Sequence, residues 1–387
     1  MKSRSLFSIV LLTTLFVGCF LFSKAASPQA ATSTSSGSES PAPILVVKND
    51  LYGYIDSAGN IVIPLQFHSA SAFADGRALV EPEKNGKYGF IDTAGNTVIP
   101  VQYEDALAFS EGLAAVKAGE KWGCIDTTGK TVIPLQLASP ADFHGGLAMV
   151  KAGDKYGFID TTGSTVIPPQ FTYAGDFAEG LAAVYVGGKF DLMSVTGGKF
   201  GFIDKTGKMV IAPQYDNAES FSEGLAGVQI GGKADLFHLE TSGKHGFIDT
   251  TGKTVVPIQY DDAYSFAQGL AAVESGGKWG FVDKSGNAVI ALQYDGATEC
   301  SEDLCPVQVE DKWGYIDKSG KMVIAPQFFR ADPFHSGVAQ VRSFSGDVAS
   351  DVAGVSTNNV GYIDKTGKYL LAPQVQKKSD MDSFMPF

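Results

Sequence analysis

One short phrase recurs through the chain at nearly fixed intervals. It reads KWGCIDTTGKTVIP from Lys121, KYGFIDTTGSTVIP from Lys155, KFGFIDKTGKMVIAP from Lys199 and KWGFVDKSGNAVIA from Lys278. Aligned on the glycine that follows its first aromatic position, the phrase occurs nine times, at Gly53, Gly89, Gly123, Gly157, Gly201, Gly246, Gly280, Gly314 and Gly361. A step of 34 recurs four times, and the steps of 44, 45 and 47 mark insertions into the same connection. Self-similarity at such a period overrides a division of 387 residues into two or three ordinary domains and demands a repeat architecture.

Within a unit the pattern predicts three short strands. They are Gly112 to Val116, Lys121 to Asp126 and Lys130 to Pro134. The second and third are joined by DTTG, where Asp can accept hydrogen bonds from turn amides and Gly supplies a positive φ. Aspartate holds that position in all nine copies, at 56, 92, 126, 160, 204, 249, 283, 317 and 364. The proline after "VI" is expected to end the third strand by withholding a ladder donor. The longer return that follows reads as a loop, and its Phe (Phe109, Phe143, Phe177, Phe221, Phe266) is expected to plug into the core between adjacent units. A lone three-stranded meander buries too little to be stable, so neighbours must stack. The fold class predicted is all-β: a tandem array of nine three-stranded antiparallel units of about 34 residues over 44–375, forming a solenoid or curved toroid, with a propeller-like closed ring as the alternative.

The unit GLAAVxxGGKWGFIDKTGKxVIxPQYDxAxxF resembles the WG (or KWG) β-repeat family. The resemblance covers nearly everything from Ile44 to Gln374. The literal Trp-Gly pair stands at Trp122, Trp279 and Trp313; Tyr52, Tyr88, Tyr156 and Phe200 replace Trp elsewhere, and His245 and Val360 depart from an aromatic. What the resemblance implies is a bacterial binding or interaction array without a defined ligand.

Before the array, Lys2 and Arg4 precede an apolar run from Leu6 to Phe22, the pattern of an export signal over 1–25. Leu15-Phe16-Val17-Gly18-Cys19 resembles a lipobox with Cys19 as the lipidated residue, whereas Ser23-Lys24-Ala25 offers an ordinary cleavage site. An uncleaved anchor is a third outcome. Residues 26–43, rich in Ser, Thr, Ala and Pro, read as a flexible linker, and 376–387 as a polar tail. The expected location is therefore the cell envelope, as a membrane-tethered lipoprotein or, alternatively, as a secreted or periplasmic protein. The membrane is contacted only through the N-terminal anchor.

A formal charge of −12, with no basic run longer than Lys377-Lys378, argues against a nucleic-acid partner. The Asp turns lack the alternating ligands and closing Glu of a calcium loop. Five scattered histidines have no ligand-like spacing, and no nucleophile elbow, P-loop or HExxH is present. We therefore expect no metal, no cofactor and no catalytic residues. A row of Gln (66, 102, 136, 170, 214, 259, 293, 327, 374) occupies one phase of every unit and is read first as tying down loop backbone, with an exposed amide row for a sugar or peptide as the other reading. One unit reads CSEDLCPV where others read FSEGLAAV, so Cys300 and Cys305 are a candidate disulfide substituting for the Phe contact. Cys124 replaces an aromatic and reads as a small buried hydrophobe.

The insertions carry the functional expectation. GGKFDLMSVTGGK (187–199) and GGKADLFHLETSGK (231–244) lengthen the hairpin between the first two strands, as does 343–359. Phe190, Leu192, Met193, Leu236, Phe237 and Leu239 lie outside the ordinary repeat and are candidates for binding a protein or peptide partner. Mutual packing of the two related hairpins is the bland alternative. A glycan or cell-wall ligand along exposed Trp122, Trp279 and Trp313 is the second functional reading, and a structural spacer the third.

Overall fold

The computed structural model describes residues 41–190, 195–232, 243–343 and 359–373. Among them are 35 β-strands and no α-helix. The strands sort into nine antiparallel sheets, each built from one unbroken stretch of chain. Numbered as blades along the chain, they cover 44–67, 69–103, 105–137, 143–171, 173–215, 217–260, 262–294, 296–328 and 330–371. Blade 3 typifies them, with strands Asp105–Ala106, Leu113–Ala118, Lys121–Asp126 and Thr131–Leu137 hydrogen-bonded in that spatial order.

Two features of the blade depart from the sequence reading. The return carries a fourth, two-residue strand in every blade except the first. The third long strand also runs through its proline instead of stopping there: Trp122 pairs with Leu137 and Cys124 with Ile133, so a bulge between them absorbs Pro134. The strand is the open edge of its sheet, where a missing donor is tolerated. The bulge also explains the glycine of the repeated phrase. It presses backbone across Gly123 so closely that a Cβ there would lie 2.6 Å from the Ile133 oxygen; the corresponding gap at Gly157 and Gly314 is 2.4 Å. Only hydrogen fits, so this glycine is required by space.

The opposite turn follows expectation. Asp126 Oδ1 accepts from the Thr128 and Lys130 amides, and Gly129 N donates to the Asp126 carbonyl with Gly129 at φ 86°. The Thr128 hydroxyl, then the turn amides, hold the Asp126 carboxyl below the usual range against a small desolvation cost. The same Asp cap recurs at all nine turns.

The core lies between blades. Phe109 from the return into blade 3 meets Phe90 of blade 2 at 4.8 Å and 62°, within a cluster that joins Ile99 of blade 2 to Val116 and Ile125 of blade 3. Phe158–Phe177, Phe202–Phe221 and Phe247–Phe266 repeat the edge-on pair at successive joints. Where Cys124 replaces the first member, Phe143 packs in the same cluster with the smaller side chain. Where Cys300 replaces the second, it is disulfide-bonded to Cys305 with a Cα–Cα separation of 4.0 Å, both residues buried.

The array closes on itself as a nine-bladed β-propeller rather than running on as an open solenoid. Val46, Val47 and Ile55 of blade 1 share a core with Val338, Val360 and Tyr362 of blade 9, and the Val47 amide donates to the Tyr362 hydroxyl at 2.8 Å. Among the described residues no strand is exchanged at this seam, since both sheets are built from contiguous chain.

The Gln row does not tie down loops. Gln66, Gln102, Gln136, Gln170, Gln214, Gln259, Gln293 and Gln327 are all exposed on the open-edge strands, and Gln374 lies outside the described residues. Each precedes a core-facing residue by one position, so strand alternation turns it outward.

Candidate functional site

Antiparallel blades give the ring two faces. One carries the hairpins between the first two long strands; the other carries the Asp turns and the returns into those first strands.

On the hairpin face, blade 3 turns back at the pair Ala118–Lys121. In blade 5 the ladder continues instead through Gly187–Gly198 and Lys189–Thr196 to Phe190–Val195. Its crossing point is made of glycines: a Cβ on Gly188 would sit 1.9 Å from the Thr196 oxygen, and Gly187, Gly188 and Gly197 all have positive φ. Tyr185, buried at the base, accepts a hydrogen bond from Gly198 N at 2.8 Å. In blade 6, Gly232 and Gly243 lie against each other over Gln229, which pairs across the strands with buried His245. In blade 9, Ser343 N donates to the Asn359 carbonyl at 2.9 Å, pairing the two residues that flank 344–358. Phe190 closes the blade 5 ladder. Leu192, Met193, Leu236, Phe237 and Leu239, like Cys19, lie outside the described residues.

The three Trp residues occupy one cross-strand position. Trp122 is only 8% exposed, and its strand neighbour Lys117 holds an ammonium 6.0 Å from the ring centroid. Trp279 is half-buried against Tyr264 with centroids 5.5 Å apart, and Trp313 is half-buried against the core that joins blades 8 and 9. Each indole has surface taken up by the wall of its blade. Burial pushes the Cys124 thiol up to about 11, an inert setting. Among the described residues, no group of three or more His, Cys, Asp or Glu side chains is placed to hold a metal.

The turn face contains a device that the sequence reading missed. The residue before the Gly of each "EGL" step sits in the left-handed region, for example Glu111 at 52°, Glu179 at 53° and Glu223 at 54°. Such a conformation is uncommon outside Gly and needs support. Here the side chain reaches the next blade. Asp75 accepts from Gly112 N, Glu111 from Gly145 N and Gly146 N, Glu179 from Gly224 N, Glu223 from Gly269 N, Gln268 from Asp303 N and Glu302 from Gly337 N. The preceding serine adds a second link at three joints, Ser110 to the Phe143 carbonyl, Ser222 to Phe266 and Ser301 to Phe334. A lysine of the following blade completes two of them, Lys284 on Glu223 and Lys365 on Glu302, each at 3.0 Å. Burial would raise the Glu223 carboxyl, but Lys284 and the Gly269 amide outweigh it and lower it overall. The signal was present in the sequence as an acidic or amide residue before Gly at one phase, inside the return that reads as a loop.

One joint differs. Between blades 4 and 5, His144 replaces the serine and Gly145 the glutamate; His144 Nε2 lies 3.2 Å from Asp142 and 3.9 Å from Asp176 of the next return. The hydrogen bond to Asp142 raises the imidazole pKa despite burial, with Asp176 and Glu111 adding to the rise.

The chain matches the WG containing repeat family over residues 52–88, 88–122, 122–156, 156–190, 200–233, 246–279, 279–313 and 313–343. No curated protein matches it. Among solved structures it is similar to the crystal structure of the eukaryotic initiation factor, at 11% identity and a TM-score of 0.56, covering 87% of this chain and 99% of that one. At that identity the likeness is one of fold alone. Looser likenesses are to Hsv2 of Kluyveromyces lactis (10% identity, TM-score 0.36, 69% of this chain and 89% of that one) and to the β-propeller domain of the Trilobed protease from Pyrococcus furiosus (12%, 0.33, 71% and 96%). With the family matched from the first blade into the ninth and the blades closed into a ring, the chain belongs to the WG-repeat family.

Proposed function

We propose that this protein is a non-catalytic recognition module of the cell envelope, binding a protein or peptide partner through the insertions on its hairpin face. The observation that supports this reading is the blade 5 hairpin, which extends four residues on each strand past the ordinary turn and is bracketed by glycines on both sides. Joints are made between the sheets, on the other face and, on this face, at the hairpin bases, where Asp216 links Lys199 to the Gly231 amide; the described extension of blade 5 lies beyond them. The insertion of blade 6 repeats its GGK…GK frame and carries Leu236, Phe237 and Leu239, apolar residues that the repeat does not require. Export is supported by the N-terminal charge and apolar run, and we assign Cys19 as the lipid-bearing residue with 26–43 as the linker to the ring.

The test replaces 187–198 and 231–243 with the two-residue connection of blade 3, Gly119-Glu120, and compares capture from envelope extract at matched thermal stability. A partner held by the intact ring and lost by the shortened one supports the reading. Equal capture by both would sink it. For the anchor, incorporation of labelled fatty acid in a bacterial host should disappear in Cys19→Ala; its persistence would remove the lipoprotein reading without touching the first.

A further inference from the structure

Of the seven joints that lead from blade 2 to blade 9, six are closed by a side-chain oxygen on the next blade's amide. The seventh, between blades 4 and 5, lacks that oxygen because Gly145 stands where the glutamate belongs. The donors that would receive it remain. At the joint between blades 8 and 9, Glu302 is held by Gly337 N at 2.9 Å and by Lys365 Nζ at 3.0 Å. The corresponding donors here are the amide of Gly180, at an exposed left-handed turn, and the ammonium of Lys205. Lys205 leans over the bare glycine, its Nζ 3.3 Å from where a Cβ of residue 145 would lie. Among the described residues neither donor has an acceptor. The nearby carboxylates are already engaged: Glu111 takes the Gly145 and Gly146 amides at 2.6 and 2.7 Å, and Asp142 and Asp176 face His144.

We infer that this joint binds a carboxylate from outside the chain in the place of the missing glutamate. One ammonium and one amide, the counterparts of those that hold Glu302, match the two oxygens of a single carboxylate. A multiply charged anion is disfavoured by Glu111, Asp142 and Asp176 around the notch. The carboxylate comes either from an acidic side chain of a bound peptide or from a small free acid. The site lies on the turn face, away from the insertions, so its fate is independent of the hairpin reading.

The experiment follows the Gly180 amide by NMR in the glycine-labelled full chain. The probes are a blocked Ser-Glu-Gly peptide that copies the clasp, its Ser-Gln-Gly counterpart, and acetate. We expect a saturable shift with the Glu peptide and about tenfold weaker binding of the Gln peptide, the loss of one charge-assisted hydrogen bond. Lys205→Gln, an exposed change, should weaken the Glu peptide about tenfold as well. Gly145→Glu should abolish binding by filling the notch from within, and its backbone is compatible because Glu111 and Glu302 both adopt φ 52°. Acetate acting as strongly as the Glu peptide would assign the site to small acids; a preference for the peptide would assign it to a partner's side chain. An unmoved Gly180 signal, or equal responses to both peptides, overturns the inference.

Discussion

The two faces of the ring obey different rules. On the turn face, the glycine of each Asp turn packs on an apolar residue of the preceding blade, isoleucine at seven of the nine: a Cβ on Gly129 would lie 3.2 Å from Ile99, and one on Gly252 3.1 Å from Ile211. On the hairpin face, Gly119, Gly153, Gly276 and Gly277 have nothing within 4 Å of a Cβ. On one face the turns themselves bear on the neighbouring blade. On the other, contact is made at the hairpin bases, where Asp216, Asp261 and Asp295 join Lys199, Lys244 and Lys278 to the Gly231, Gly276 and Glu310 amides of the next blade, and the hairpin tips Gly119 and Gly153 end in solvent. The contrast accounts for the position of all three insertions. A turn that bears on its neighbour cannot lengthen without shifting that neighbour, whereas a free hairpin can grow at little cost.

The contrast yields an ordered set of expectations. Phe266→Ala removes the plug between blades 6 and 7 and should cost about 3–5 kcal/mol, read as a drop in the denaturation midpoint at unchanged slope. A loss below about 1 kcal/mol would mean that the joints are not where the stability resides. Reduction of Cys300–Cys305, which spans a short loop, should cost about 2 kcal/mol, measured by thermal melts with and without reductant. Glu223→Ala should cost under about 1 kcal/mol, because its ion pair with Lys284 is partly exposed. Its pH dependence has a definite sign. The folded carboxyl lies below its ordinary 4.5, so its contribution is present above that value and is lost as pH falls through the folded value. In Glu223→Ala that part of the acid-side slope should disappear. Smallest of all, exchange of 187–198 for the ordinary connection should move stability by less than about 0.5 kcal/mol. A large loss there would erase the distinction between the faces.

Much of the blade was legible in the sequence because its constraints are local. Asp126 and Gly129 stand three apart and specify their turn alone. The return Phe could be placed because it recurs at one phase, and the Cys300–Cys305 pair because it broke that recurrence. The proline misled because its effect depends on which edge is open, a property of the sheet rather than of the strand. The Gln row misled because regularity was read as burial, while alternation against Phe67 or Tyr215 turns it outward. Closure into a propeller-like ring stood in the sequence only as the alternative to an open solenoid, since it rests on Val47 meeting Tyr362, 315 positions later, and on an angle per blade that no single unit encodes. The clasp glutamates escaped for a similar reason: their acceptor role exists only once the next blade is in place. The tips of the insertions, where the candidate contacts Leu192, Met193, Leu236, Phe237 and Leu239 fall, lie outside the described residues.

The seam between blades 9 and 1 has a consequence for how such a chain can change its size. Because each described sheet is built from one contiguous stretch of chain, loss or duplication of about 34 residues removes or adds one whole blade and leaves every other described sheet complete. A propeller sealed by a shared strand would need its two ends to stay matched through every such event. Among the described residues this one is sealed by side chains, Val338 and Tyr362 meeting Val46 and Val47. The gene for such a ring can therefore lengthen by unequal recombination one blade at a time, with blade number limited by geometry alone.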